Sequence, residues 1–275
     1  MDTSRTGVSR RQINMMMLSV PLAVPLAVPL AVASGRAFAA ERVMPKALVY
    51  DVFGTVMDWR NGVAREAERV LKPRGNSLDW LAFADSWRSL YQPSMEEVRT
   101  GKRPFTKLDV LHREMLEKTL AKFNVKGLPE ETRADLNLAW HRLDAWPDAQ
   151  PGLARLSKKF LLAPCSNGNI ALMADLARRN NIRWDAILGS DIARDYKPKP
   201  GVYLAAADAF NLKPSETMMC AAHSEDLKSA AAQGLRTAHI ARPNENGPNT
   251  GESGPKYPVD YTTKNMMDLA DQLGA

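Results

Sequence analysis

Ala47-Leu48-Val49-Tyr50-Asp51-Val52-Phe53 is a run of apolar, β-favouring residues broken by one acid and closed by Gly54-Thr55. It is too short for a typical helix and lacks the polar alternation of a half-exposed strand, so it reads as a strand buried on both faces. Strands of that kind belong to parallel sheets covered by helices on either side. The rest of the chain supplies the alternation such a sheet needs. Strand-like runs return at Phe160–Cys165, Ala186–Leu188, Thr217–Ala222 and Thr237–Ile240. Helical patterns fall between them, from about Ile170 to Asn180 and from Tyr203 to Phe210. Right-handed βαβ crossovers follow, and with them an α/β class whose sites form beyond the carboxyl ends of the strands.

From about Trp59 to Trp146 the pattern is helical only. Trp80–Tyr91 and Phe105–Phe123 are the clearest segments, with breakers at Pro93, Gly101 and Gly127-Leu128-Pro129. We therefore expect a core over residues 45–60 and 147–275, with an all-helical insertion over 61–146. Residues 243–258, rich in Pro, Gly and Asn, read as a surface loop. Cys165 and Cys220 have no metal-ligand spacing, and the expected strand order puts a third strand between them. Two strand spacings of about 4.8 Å exceed the reach of a disulfide, so two free, buried thiols are expected.

The first 39 residues have a separate character. Arg10-Arg11 precede an apolar run from Met15 to Ala33, and Ala37-Phe38-Ala39 supplies a small-residue cleavage site. This is the pattern of an export signal, and the paired arginines point to the twin-arginine route and a periplasmic destination. Pro21, Pro25 and Pro29 make the run a poor permanent membrane helix, so no stable membrane insertion is expected after its removal. Translation from Met44 would give a cytoplasmic protein instead. The formal charge of the chain is +6, of which Arg5, Arg10, Arg11 and Arg36 against Asp2 account for +3. The remaining surplus, with no basic run interleaved with aromatics, does not mark a nucleic-acid binder.

Asp51 stands where strand meets loop, a position from which a carboxylate can be held by N–H groups and a hydroxyl and still face a substrate as a covalent nucleophile. Alone, D-x-x-G-T is also ordinary turn chemistry. Ser166-Asn167 closes the second strand, Lys197 lies in Asp195-Tyr196-Lys197-Pro198-Lys199-Pro200, and Asp226 follows a later strand. Acid, hydroxyl, lysine and acid at successive strand ends resemble the four motifs of the haloacid dehalogenase superfamily, from Ala47 onward. The resemblance implies a Rossmann-like parallel sheet core with an inserted all-helical cap.

Two substitutions separate branches of that superfamily. Its phosphatases carry a second aspartate two residues after the nucleophile, where Phe53 stands here, and a magnesium-binding aspartate where Ala222 stands. Losing a proton donor and a hard-cation ligand argues against phosphoryl transfer. The departures are similar to the L-2-haloacid dehalogenase branch, which implies metal-independent hydrolysis of L-2-haloalkanoic acids to D-2-hydroxy acids through an aspartyl ester. No cofactor or metal is implied, and the partner is a small haloacid. On this resemblance Asp51 is the nucleophile, Arg88 binds halide, Lys197 offsets the charge of Asp51, and Asp226 activates water. Thr55, Ser166, Asn167, Tyr203, Phe53 and His223 surround substrate and nucleophile. The branch has Ser and Asn where Ala221 and His223 stand, and an aromatic in place of Glu225. Other readings stay open: Arg88 as a solvated helix charge, Tyr203 as helix packing, and His223 as a water-orienting group, a partner of Asp226 or a structural histidine. A phosphatase of the same fold and a non-catalytic exported carboxylate binder are the alternatives, and a homodimer is an open expectation because related enzymes are often dimers.

Overall fold

The computed structural model describes residues 44–275, so the leader expected over 1–39 lies outside the described residues. Strand β1 (Ala47–Tyr50) is buried along its whole length. It lies between β2 (Leu161–Pro164) and β3 (Thr217–Ala221), with β4 (Arg236–Ile240) and β5 (Tyr261–Thr263) continuing the sheet beyond β3. All pairings are parallel, in the order β2-β1-β3-β4-β5. Tyr50 is level with Pro164 on one side and Cys220 on the other, so the loops after the three central strands leave the sheet at one rim. Each fully buried Leu or Val side chain contributes about 1.5–3 kcal/mol, which makes β1 a firm mount for the acid that follows it. Cys165 and Cys220 are both buried and free, with β1 running between their strands, as the sequence order implies.

The helices are α1 (Trp59–Leu71), α2 (Trp80–Ser89), α3 (Tyr91–Arg99), α4 (Leu108–Lys122), α5 (Glu130–Asn137) and α6 (Ala149–Leu156) before β2. After it come α7 (Ile170–Arg179), α8 (Ser190–Ala193), α9 (Pro200–Asp208), α10 (Ser224–Ala231) and α11 (Met266–Gln272). Helix α1 starts where the Asp58 side chain accepts from the Asn61 N–H, and α2 where Asp79 accepts from Ala82 N–H, satisfying donors that the helix itself cannot. Along α1, Trp59, Val63, Ala67, Val70 and Leu71 recur at helical spacing and are buried as one stripe. The first helix crosses residues 60 and 61, where the sequence suggests that the insertion begins. No strand lies between α1 and α6, although Met57 and Ala145 form an isolated antiparallel bridge.

The expected strand at Ala186–Leu188 is not one. Instead Asp185 closes the outer edge of β2: its carboxylate accepts from Leu162 N–H at 2.8 Å, and its own N–H donates to Leu162 O. A charged side chain on an edge strand satisfies the unpaired ladder groups without adding a strand. Strand β5, short and preceded by the Pro- and Gly-rich loop, was not expected from the sequence.

Candidate active site

The site assembles at the rim where β1, β2 and β3 end. Asp51 directly follows β1, and its N–H donates to Cys220 O, which extends the ladder and fixes the backbone. The chain then turns sharply through Gly54, whose φ of +90° is a conformation L side chains rarely adopt. This turn brings Thr55 back over the carboxylate. Thr55 Oγ1 donates to Asp51 Oδ2 at 2.8 Å and accepts from Ala222 N–H at 2.8 Å, tying the nucleophile loop to the end of β3.

Lys197 reaches the other oxygen. Its Nζ donates to Asp51 Oδ1 at 2.8 Å and also to Asp226 Oδ2, standing between the two largely covered carboxylates. Burial works against charge on Asp51, but Lys197 and His223 outweigh it and hold the Asp51 carboxyl well below the usual carboxylate range. Burial likewise opposes charge on Lys197, and Asp226 and Asp51 more than restore it, so the ammonium persists far above its ordinary range. Asp226 differs: burial raises its pKa, and the attraction of Lys197 does not fully cancel that rise. Tyr203 donates to Asp226 Oδ1 at 2.7 Å. The two acids therefore differ in basicity, Asp51 weakly basic and Asp226 more so, as expected of a nucleophile beside a proton acceptor.

A cavity of about 380 Å³ opens over this group. Of the residues expected from the sequence to form the site, only Thr55 and Ser166 do not line it. Thr55 acts behind the nucleophile. The Ser166 Oγ accepts from Gly168 N–H at 3.1 Å within its own loop, which orders the turn after β2. Asn167 lines the cavity together with Tyr91, its Oδ1 taken by Lys197 N–H at 2.7 Å.

Arg88, in the last turn of α2, is not a solvated helix charge. Its guanidinium carbon lies 3.9 Å from the Tyr91 ring centroid, 5.3 Å from that of Trp59 and 5.9 Å from that of Phe53. Its Nη1 is buried and has no hydrogen-bond partner. A cation held among aromatic faces with a free donor suits an anion that arrives only during the reaction. Trp87, just before Arg88, is fully buried core, its indole N–H donating to His112 O.

His223 pairs with Asp51 and Glu245 rather than with Asp226. Its Nδ1 lies 3.0 Å from Asp51 Oδ2 and its Nε2 lies 2.9 Å from Glu245 Oε2. Burial alone would lower its pKa, but the two carboxylates push it up to about 10. The imidazole is 32% exposed, so solvent mutes the effect while leaving its direction. Glu245 is 4% exposed, and Trp59 Nε1 donates to its Oε1 at 3.0 Å.

Sequence reasoning missed Glu245 altogether. It sits in the segment taken for a surface loop, and an acid among Pro, Gly and Asn carries no periodic signal. That loop is irregular as expected, but it is not merely surface: Glu245 and Glu252 bring it into the site. Tyr91 was legible in principle, since a position three residues after Arg88 shares a face with it along continuing helices.

A strand-end carboxylate poised to attack, a buried lysine offsetting its charge and a second, more basic acid define a hydrolase that works through a covalent enzyme intermediate. A family model for haloacid dehalogenase-like hydrolases matches residues 45–234. The (S)-2-haloacid dehalogenase 1 of Pseudomonas sp. (strain CBS-3) is 31% identical over 205 residues, which is 73% of this chain and 86% of the relative. The crystal structure of a defluorinating L-2-haloacid dehalogenase is 42% identical, with a TM-score of 0.82 over 84% of this chain and 96% of that one. A second L-2-haloacid dehalogenase structure gives 40% identity and a TM-score of 0.80, covering 84% and 99% respectively. The chain belongs to the haloacid dehalogenase-like hydrolase family.

Proposed function

We propose that this chain hydrolyses L-2-haloalkanoic acids to D-2-hydroxy acids. The observation that carries the reading is the buried, unpartnered Nη1 of Arg88, in the guanidinium that shares one cavity with the Asp51 carboxylate. Asp51 attacks C2 on the face opposite the halogen, forming an ester and inverting the carbon. Negative charge grows on the departing halide, and a fixed cation placed where charge develops is generally the largest single contribution to catalysis. Lys197 keeps Asp51 ionised and aimed. Water then adds to the Asp51 carbonyl carbon, its proton passing to Asp226. Collapse breaks the bond to the product oxygen, which takes up that proton, and the second water proton, left on the regenerated Asp51 carboxyl, is released to solvent.

The phosphatase alternative is weaker on this chain's own residues. Phe53 presents a ring where a proton donor would be needed, and Ala222 a methyl where a hard cation would need an oxygen ligand. The cation between Asp51 and Asp226 is the Lys197 ammonium, so the reading calls for no metal. A carboxylate binder would have no need of a nucleophile held ionised. We further read residues 1–39 as a twin-arginine leader whose removal at Ala39 delivers a periplasmic enzyme. We also read the enzyme as a homodimer acting on a small molecule, without nucleic acid.

Halide release from L-2-chloropropionate, its D enantiomer, chloroacetate and fluoroacetate, with EDTA present, tests the activity. Fluoroacetate is included because one relative is described as defluorinating. Release from the L form and not the D form, unaffected by EDTA, is the expected result, and no halide from any of them would overturn it. Sequencing of the exported protein should begin at Ala40, and light scattering should give twice the chain mass.

A further inference from the structure

Asp51 Oδ2 accepts two hydrogen bonds, from Thr55 Oγ1 and from His223, whereas Oδ1 accepts one, from Lys197. A carboxylate oxygen has two lone-pair directions, so Oδ1 retains one with which to attack and Oδ2 does not. The ester formed through Oδ1 leaves Oδ2 as its carbonyl oxygen, still facing both donors. Each ring nitrogen of His223 faces a carboxylate, Asp51 on one side and Glu245 on the other, and an ionised carboxylate can only accept. Both nitrogens therefore carry hydrogen, and the ring is an imidazolium. Glu245 is itself fixed by the Trp59 indole N–H and packs against Gly54, where any Cβ would overlap its carboxylate.

We propose that His223, held by Glu245, is with Thr55 the oxyanion hole for hydrolysis of the Asp51 ester. The inference rests on the dehalogenase reading. When water adds to the Asp51 carbonyl carbon, the carbonyl π electrons move to Oδ2. The charge that appears there meets the His223 Nδ1–H, at 3.0 Å, and the Thr55 hydroxyl, at 2.8 Å. Those electrons re-form the carbonyl as the bond to the product oxygen breaks. His223 touches the reacting carboxylate and is catalytic, while Glu245 acts through it and is a positioning residue. The alkylation step gains nothing from the same donors, because it consumes the charge of Asp51. The two half-reactions therefore respond differently to losing them.

That difference is the test. In Glu245→Gln the ring loses its second carboxylate and with it much of its charge. Losing a whole oxyanion donor costs about 10²–10³ in kcat, and a charge-assisted bond is about twice as strong as a neutral one. Removing the charge alone should then slow ester hydrolysis by about 10–30-fold. Rapid-quench halide assays on L-2-chloropropionate should show a burst of one halide per enzyme at the wild-type rate, then the slower steady state. Mass spectrometry should find the ester accumulating on the Asp51 peptide. The alkaline limb of the kcat–pH profile should move to lower pH, because of the two carboxylates that hold His223 charged only Asp51 remains, while His239, which His223 repels, works against that charge. His223→Asn, which keeps a neutral donor, provides the same readout should Glu245→Gln not fold. Burst and steady state slowing together with no ester, or an unchanged steady state, would overturn the inference alone. A wild type that releases no halide would overturn the proposed function and this inference with it.

Discussion

Replacing Arg88 by Gln removes the cation while keeping the aliphatic stem and a shorter polar end. A halide ion at contact distance, about 4 Å, interacts with a full positive charge by about 4 kcal/mol at an effective dielectric of about 20. In the ground state the carbon–halogen bond is nearly neutral, and at the transition state about half the charge has moved to the halogen. The differential is then about 2 kcal/mol, or about 30-fold in the rate of halide release. Pre-steady-state halide release from L-2-chloropropionate measures that step directly. Stability should respond differently. Among the described residues Arg88 forms no ion pair, so its loss relieves a partly buried, uncompensated charge while giving up its aromatic contacts. The two effects oppose each other, and the melting temperature should change by only a few degrees. A fall in rate of less than threefold would refute the assignment. So would a large loss of stability, since that would make Arg88 a packing residue.

Asp51→Asn should abolish turnover and leave the fold intact by circular dichroism, because the amide fits the same space but cannot attack as an anion. Gly54→Ala should both destabilise and inactivate, since it forces a side chain into φ +90° at a cost of about 1–2 kcal/mol and displaces Glu245; a thermal melt and a halide assay check the two effects together. The stability of the wild type should carry a contribution from His223 that is fully present below pH 6.5, declines above it and is lost as pH rises through about 10, because the folded value lies above the unfolded one. Comparing melting temperatures of wild type and His223→Asn from pH 6 to pH 10.5 should show a steeper alkaline decline in the wild type.

Much of this was legible from residue 47 onward, for physical reasons. An apolar run ending in an acid can only be a buried strand with its carboxylate at the rim, and β1 is that strand. The motif acids Asp51 and Asp226 follow the ends of β1 and β3, where sheet geometry forces convergence, whereas Lys197 reaches both from the segment between α8 and α9 rather than from a strand end. Ala186–Leu188 misled because three apolar residues beside an edge strand look alike whether they pair or merely cover, and the Asp185 carboxylate decides the matter. Glu245 was illegible because nothing local distinguishes it; its meaning lies in Gly54 and His223, far away in sequence.

The distance along the chain between Asp51 and Glu245 has a temporal side. A ribosome adding about 5–20 residues per second needs about 10–40 s to travel from one to the other. For that interval the nucleophile exists without the acid that fixes its histidine. Glu245 also lies beyond residues 45–234, the part of the chain that the family model matches. A chain cut short near Ala241 would keep every recognised motif and the four strands β1–β4, yet lack the clamp. Steady-state dehalogenation would then report on completion of the C-terminal segment: a truncation series should lose β5 first, and turnover should fall once Glu245 is removed, while β1–β4 remain.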